Sequence, residues 1–127
     1  MAKLRHVAIS VSDLEKSARF YEETFELERL SENDIAINLS DGVVNLTLLR
    51  FPTDEMAGDA RGKDYIGVHH VGFIVDDAAA VGRRIEAKGG RYKGESPGPA
   101  GRNAEHKYVD PDGIVFDVSQ HGWLGTS

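Results

Sequence analysis

The chain predicts an α+β fold built from two βαβββ modules, and three observations carry that reading. A strand near the start is echoed almost residue for residue in the middle of the chain, a helix pattern follows each copy, and a tight turn precedes each module's last strand. The echo sets Arg5-His6-Val7-Ala8-Ile9-Ser10-Val11-Ser12-Asp13-Leu14 against His69-His70-Val71-Gly72-Phe73-Ile74-Val75-Asp76-Asp77-Ala78. Each copy opens on an imidazole, so two faces of a repeated unit are expected to turn their histidines toward one point.

Residues 3 to 11 alternate around Val7, Ile9 and Val11, the period of a half-buried strand. Ser12-Asp13-Leu14-Glu15 reads as a capping box, and the helix over 13–25 lines up Leu14, Ala18, Tyr21 and Phe25 on one stripe. Extended segments are expected near 28–32 and 35–40, and Asp41-Gly42 makes a hairpin turn into the strand Val43 to Arg50. Residues 51 to 66 lack periodicity and carry Pro52, Gly58 and Gly62, which marks the linker, taken as about 52–66. The second module repeats the order. A strand over 68–75 leads to Asp76 or Asp77 as cap, and a helix through Ala80, Val81, Arg84 and Ile85 stops at Gly89-Gly90. Extended segments near 91–95 and 104–109 follow, then Asp110-Pro111-Asp112-Gly113 turns into Ile114 to Ser119. The organisation expected is one domain over 1–127, with modules at about 1–51 and 67–120.

At 127 residues there is room for one core, and 40 % hydrophobic with 28 % charged residues is the composition of an ordinary globular protein. No apolar run approaches the roughly 20 residues of a membrane-spanning helix. Met1-Ala2-Lys3-Leu4-Arg5-His6 runs straight into a strand without a secretory pattern, so a cytoplasmic protein is expected, with no membrane partner. With no cysteine, disulfides, thiolate nucleophiles and sulfur-ligated zinc are excluded, leaving imidazole and carboxylate as metal ligands. A net charge of −6 without a dense Lys/Arg stripe argues against nucleic acid.

Alternation puts His6, Ala8 and Ser10 on one face and Val7, Ile9 and Val11 on the other. The same split separates His70 and Gly72 from Val71, Phe73 and Val75, and Val115, Asp117 and Ser119 from Ile114, Phe116 and Val118. In the first module Asn45, Thr47 and Leu49 oppose Val44, Leu46 and Leu48. A polar strand face is most often only solvated. Two histidines at equivalent repeat positions with a carboxylate on a late strand shift the balance toward a divalent metal site.

The segments His6-Val7-Ala8-Ile9-Ser10-Val11-Ser12-Asp13-Leu14 with Phe20-Tyr21, His70-Val71-Gly72-Phe73-Ile74-Val75, and Asp110-Pro111-Asp112-Gly113 leading to Asp117 resemble the vicinal oxygen chelate superfamily. That superfamily includes glyoxalase I, extradiol dioxygenases, methylmalonyl-CoA epimerase, and fosfomycin- and bleomycin-resistance proteins. The resemblance implies paired βαβββ modules whose mixed sheets curl into an open barrel around a divalent ion. Its four ligand positions map onto His6, Asn45, His70 and Asp117. Asn45 departs from the pattern, because an amide is a poor transition-metal ligand and cannot act as a base. The implied shell is therefore His6, His70 and Asp117, with Asn45 beside the open coordination positions. Asp117 also departs, standing where the family usually has Glu.

Two imidazoles and one carboxylate suit non-haem iron chemistry, so the resemblance implies a dioxygenase-like enzyme for a small oxygenated substrate, with Fe2+ favoured over Mn2+, Ni2+ or Zn2+. Glyoxalase I chemistry fits less well: Asn45 replaces the metal-bound base, and Ser10 falls where a glutathione-contacting Arg is expected. The extradiol signature is incomplete around Tyr108. A lyase or isomerase, a thiol- or antibiotic-modifying transferase, and a metal-free drug-binding protein are the alternatives. A homodimer is expected from the resemblance. His106 and Tyr108 share one strand face and are the candidates for acid, base or hydrogen-bond donor. His69 points away from His70 and reads as structural or exposed. Trp123 and His121 follow the last strand, as cover for the core edge or a lid over the barrel mouth. Arg83-Arg84 reads as solvated surface, and Gly94 to Gly101 as a connector or a gating loop.

Overall fold

The computed structural model describes residues 1–58, 61–96 and 105–127. It has the predicted α+β fold of paired βαβββ modules, and the chain divides into two compact units. The first comprises His6–His69 with Trp123–Ser127, and the second Met1–Arg5 with His70–Gly122.

In the first unit, β1 (Lys3–Ser10, entering the unit at His6) is followed by α1 (Leu14–Phe25), β2 (Glu28–Glu32), β3 (Ala36–Ser40) and β4 (Asn45–Leu49). The sheet order is β2-β3-β4-β1, antiparallel except for the parallel β4/β1 pair, in which His6 lies opposite Asn45. Helix α1 starts because the Asp13 carboxylate accepts the Lys16 backbone N–H at 3.1 Å. The cap is therefore Asp13 rather than Ser12, and Glu15 is spent on an ion pair with Arg29. Ala18 is fully buried, and Leu14 and Tyr21 join Val11, Ile37, Leu39 and Leu48 in the core under the helix. Phe25, expected on the same stripe, is 61 % exposed and meets Phe20 and Tyr21 instead. Angle around a helix does not tell whether a sheet lies beneath its last turn.

Arg29 ties α1 to β2. Its guanidinium grips Glu22 through Nη2 at 2.6 Å and Nε at 3.2 Å, and reaches Glu15 at 2.7 Å. Arg29→Met should cost about 1 kcal/mol, because the fork-shaped pair is lost but its carboxylates stay wet. Thermal unfolding in low salt and in about 1 M NaCl checks this: screening should shrink the difference. A difference that salt leaves untouched would mean packing of the stem, not charge.

The segment read as linker contains one short helix, α2 (Asp54–Ala57), which begins where the Thr53 hydroxyl accepts the Met56 N–H at 3.2 Å. His69 belongs to this region, donating from Nε2 to the Ala57 carbonyl at 2.8 Å, in keeping with a structural role.

In the second unit, β5 (Gly67–Ile74, entering the unit at His70) leads to α3 (Ala78–Ala87), β6 (Arg91–Ser96), β7 (Glu105–Val109) and β8 (Val115–Ser119). The sheet runs β6-β7-β8-β5, again antiparallel except for the parallel β8/β5 pair. Asp77 caps α3, accepting from the Ala80 N–H at 3.0 Å. Gly89 ends it in the left-handed region at φ 100°. Asp110 closes the last turn by accepting from the Asp112 and Ile114 N–H groups, each at 2.9 Å. The core gathers Val75, Tyr108 and Val118 with Phe73, Val81, Ile85 and Phe116. Arg83 and Arg84 are exposed, as read. The loop predicted from Gly94 to Gly101 falls largely outside the described residues.

Both faces of the strands are packed. His6, Ala8, Ser10, Asn45, Thr47, Asp117 and Ser119 are all buried, whereas Val7, Ile9 and Leu46 are only half-buried and Ile114 is 53 % exposed. Alongside the apolar face at Leu48, Val75 and Val118, the small polar face is buried too. It tolerates this because, among the described residues, no buried side-chain nitrogen or oxygen lacks a hydrogen-bond partner. No helix among the described residues is long and apolar enough to cross a membrane.

Candidate metal centre

The first unit prepares one imidazole. His6 is buried on β1, and its Nδ1 lies 2.7 Å from Asn45 Oδ1 on the neighbouring strand. The Asn45 amide has only one sensible orientation, because its Nδ2 also faces the Leu124 carbonyl at 3.0 Å, a group that can only accept. Nδ2 donates to Asn38 Oδ1 as well, at 3.1 Å. The amide oxygen is thus the atom turned to His6, and it accepts the hydrogen bond that His6 donates from Nδ1. Thr47 and Asn38 extend this network across β4 and β3, and Asn38 in turn donates to Ser31 at 2.9 Å.

The segment after β8 covers this ring. Trp123 stacks on His6 with 4.5 Å between centroids and 3° between planes. Three bonds hold the strap: Asn45 Nδ2 to the Leu124 carbonyl, Ser40 Oγ to the Gly125 carbonyl at 2.9 Å, and the Ser127 N–H to the Val43 carbonyl at 3.3 Å. Trp123 was expected to cover an edge; it covers a candidate ligand. His121 is exposed.

The second unit prepares an imidazole and a carboxylate. His70 Nε2 lies 3.1 Å from Asp117 Oδ2, and both residues are buried, Asp117 completely. Two donor atoms bound to one ion at about 2.1 Å and near a right angle stand about 3 Å apart, so this pair fits a shared divalent ion. Parallel pairing sets Asp117 opposite Gly72, whereas Asn45 stands opposite His6. The two modules therefore differ by two residues in register, which preserves the face and explains why Asp117 meets the far nitrogen of its histidine while Asn45 meets the near one.

A third group stands on the carboxylate that the sequence reading did not select. Lys107 Nζ lies 3.0 and 3.2 Å from the two Asp117 oxygens, and 4.0 Å from Glu105 Oε2. Burial alone would push the Asp117 carboxyl up, but the hydrogen bonds and charges of His70 and Lys107 outweigh it and hold the group well below the usual carboxylate range. A carboxyl depressed on folding contributes stability in full above its unfolded value of about 3.9, and that contribution fades as pH falls toward the folded value. Asp117→Asn should therefore lower the melting temperature at about pH 6, with the gap to the parent protein narrowing below about pH 4. An unchanging gap between these pH values would show that the pairing energy is not what the variant lost.

The predicted catalytic pair lies elsewhere. His106 and Tyr108 sit opposite Val118 and Phe116 in the β7/β8 ladder, on the face away from Asp117. Tyr108 is packed against Phe116 and Tyr92 and approaches Gly82 of α3 so closely that a Cβ there would meet its hydroxyl. Burial, followed by the charges of Glu86 and Tyr92, pushes its hydroxyl up. The residue on the Asp117 face is Lys107, and the signal for it was present. The tight Asp110–Gly113 turn pairs Val109 with Val115, and counting outward pairs Lys107 with Asp117.

A profile of the Glyoxalase/Bleomycin resistance protein/Dioxygenase superfamily matches residues 3–118, and the chain belongs to that family. Among curated proteins it is 29 % identical over 130 residues to a probable chloroplastic lactoylglutathione lyase of Arabidopsis thaliana, covering 94 % of this chain but 36 % of the relative. A probable lactoylglutathione lyase of Vibrio parahaemolyticus is 27 % identical over 132 residues, covering 94 % of this chain and 91 % of that protein. The chain thus spans well under half the length of the plant relative and nearly all of the bacterial one. In solved structures the fold recurs in a hypothetical protein from Bacillus halodurans, with a TM-score of 0.74, 18 % identity and 93 % of each chain covered. It recurs in methylmalonyl-CoA epimerase from Mycobacterium tuberculosis, with a TM-score of 0.71, 18 % identity, and 91 % and 85 % covered.

Proposed function

We propose that the protein is a divalent-metal-dependent enzyme of the vicinal oxygen chelate type, with His6, His70 and Asp117 as ligands of one ion, acting on a small substrate through two neighbouring oxygens. The observation that carries this reading is the buried His70–Asp117 pair, whose donor atoms stand at the 3.1 Å expected of neighbours in one coordination shell. A bound ion would supply Lewis acidity and a template for the substrate oxygens. The protein's own share is orientation. Asn45 fixes the His6 tautomer, so that Nε2 is the ligating nitrogen, and Trp123 keeps water off one face of the ring.

Asn45 is thereby a positioning residue, since an amide cannot accept a proton at neutral pH. With no carboxylate at that position, two imidazoles and one carboxylate favour dioxygenase-like chemistry with Fe2+. The relatives that bear the name lactoylglutathione lyase favour a second reading, a lyase or isomerase that moves a proton next to a carbonyl. A single preparation separates them. Elemental analysis of protein purified without chelator should find stoichiometric metal. Protein reconstituted anaerobically with Fe2+ should then consume oxygen with a catechol from a broad panel. Exchange of a substrate proton with deuterated solvent, on the hemithioacetal of methylglyoxal and glutathione or on methylmalonyl-CoA, without oxygen uptake would establish the lyase or isomerase reading. Protein without metal under replete conditions would leave a metal-free binding protein.

A further inference from the structure

We infer that Lys107 is a built-in competitor for the metal, an ammonium that neutralises Asp117 when no ion is bound and must give way to Glu105 when one is. This rests on the proposal that Asp117 is a ligand. Three observations support it. Lys107 and Asp117 are direct partners across the β7/β8 ladder, so the ammonium cannot simply drift off by rotation of a distant loop. Its nitrogen straddles both carboxylate oxygens, at 3.0 and 3.2 Å, and so occupies a lone pair of each and neutralises the charge that would attract a divalent ion. A second acceptor, Glu105 Oε2, stands 4.0 Å away, two residues earlier on β7 and on the same strand face.

The charges decide the direction of the effect. A divalent ion on Asp117 would sit within a few ångströms of the ammonium of Lys107, whose side chain is 30 % exposed, so that water screens the repulsion only in part. Moving the ammonium to Glu105 relieves that repulsion without burying an unpaired charge. Lys107 therefore keeps the empty carboxylate ordered and paired, while holding metal affinity below what the same ligands would otherwise give. A residue with a purely structural role would do the opposite, since its removal would loosen Asp117 and weaken metal binding.

The probe is Mn2+ alone, titrated into the whole protein by calorimetry at fixed pH and ionic strength. Lys107→Met, similar in length and without charge, should bind Mn2+ at least about tenfold more tightly than the parent protein, a change of about 1.4 kcal/mol. Lys107→Arg should restore the weaker value, and Glu105→Gln should weaken binding, because the displaced ammonium loses its landing place. Lys107→Gln serves as a second neutral variant should the methionine protein fail to fold. Equal or weaker Mn2+ binding in a folded neutral variant overturns the competitor role while leaving the metal site intact. No Mn2+ binding by the parent and neutral variants alike overturns both.

Discussion

Replacing His70 with alanine is expected to abolish stoichiometric metal binding. The imidazole is one of three proposed ligands, and removing even an outer partner of a metal ligand costs about 10–100-fold in affinity. Loss of a direct ligand should exceed about 100-fold. The chain reports on this itself, because Trp123 is its one tryptophan and lies against His6 at 4.5 Å. Co2+ or Mn2+ added to the parent protein should quench indole fluorescence with a saturable, one-to-one profile, and His70→Ala should show no such saturation. Asp117 keeps Lys107 as a partner in the variant, so circular dichroism should report an unchanged fold. His6→Ala should lose the metal equally. If the His6 variant kept its ion while the His70 variant did not, a shared centre would be ruled out, leaving a site made by the second unit alone.

Gly125→Ala should release the carboxy-terminal strap. Gly125 sits at φ 80°, where a Cβ costs roughly 1–2 kcal/mol, and that Cβ would also run into the Ser40 side chain and come 2.6 Å from Leu30 Cδ1. Overpacking of this kind adds about 1–3 kcal/mol. Among the described residues the strap docks through three hydrogen bonds and one ring stack, each worth on the order of 1 kcal/mol. The penalty is therefore of the same order as what these contacts contribute, and detachment is the expected relaxation. Trp123 emission should shift to the red and become open to acrylamide, and metal affinity should fall as His6 and Asn45 lose their cover and the Leu124 carbonyl. Unshifted emission with unchanged acrylamide quenching would mean that the sheet yields instead of the strap.

The variant sites differ in how far the amino-acid order anticipated them. His6, His70 and Asp117 could be chosen from the repeat and from strand parity, because alternation is enforced by the backbone and needs no partner to be known. Lys107 was equally within reach through the Asp110–Gly113 turn, whereas His106 and Tyr108 are candidates by chemical type, and their parity sends them to the opposite face. The cap at Asp13 in place of Ser12, and the small helix begun by Thr53, are local choices between neighbouring oxygen donors that differ by little energy.

Other features had no local signal. That Asn45 turns its oxygen to His6 is dictated by the carbonyl of Leu124, far away along the chain, and that Trp123 lies on His6 depends on the same strap. The polar strand faces are buried rather than wet for a related reason: they satisfy one another's hydrogen bonds across strands, which no single strand can announce. Periodicity, caps and turns act within a few residues, so the order of amino acids was enough for the paired modules, the parity of each strand and the identity of the candidate ligands. The tautomer of His6, the strap that lays Trp123 on its ring and the burial of the polar faces depend on groups that only folding brings together, and tertiary structure alone decided them.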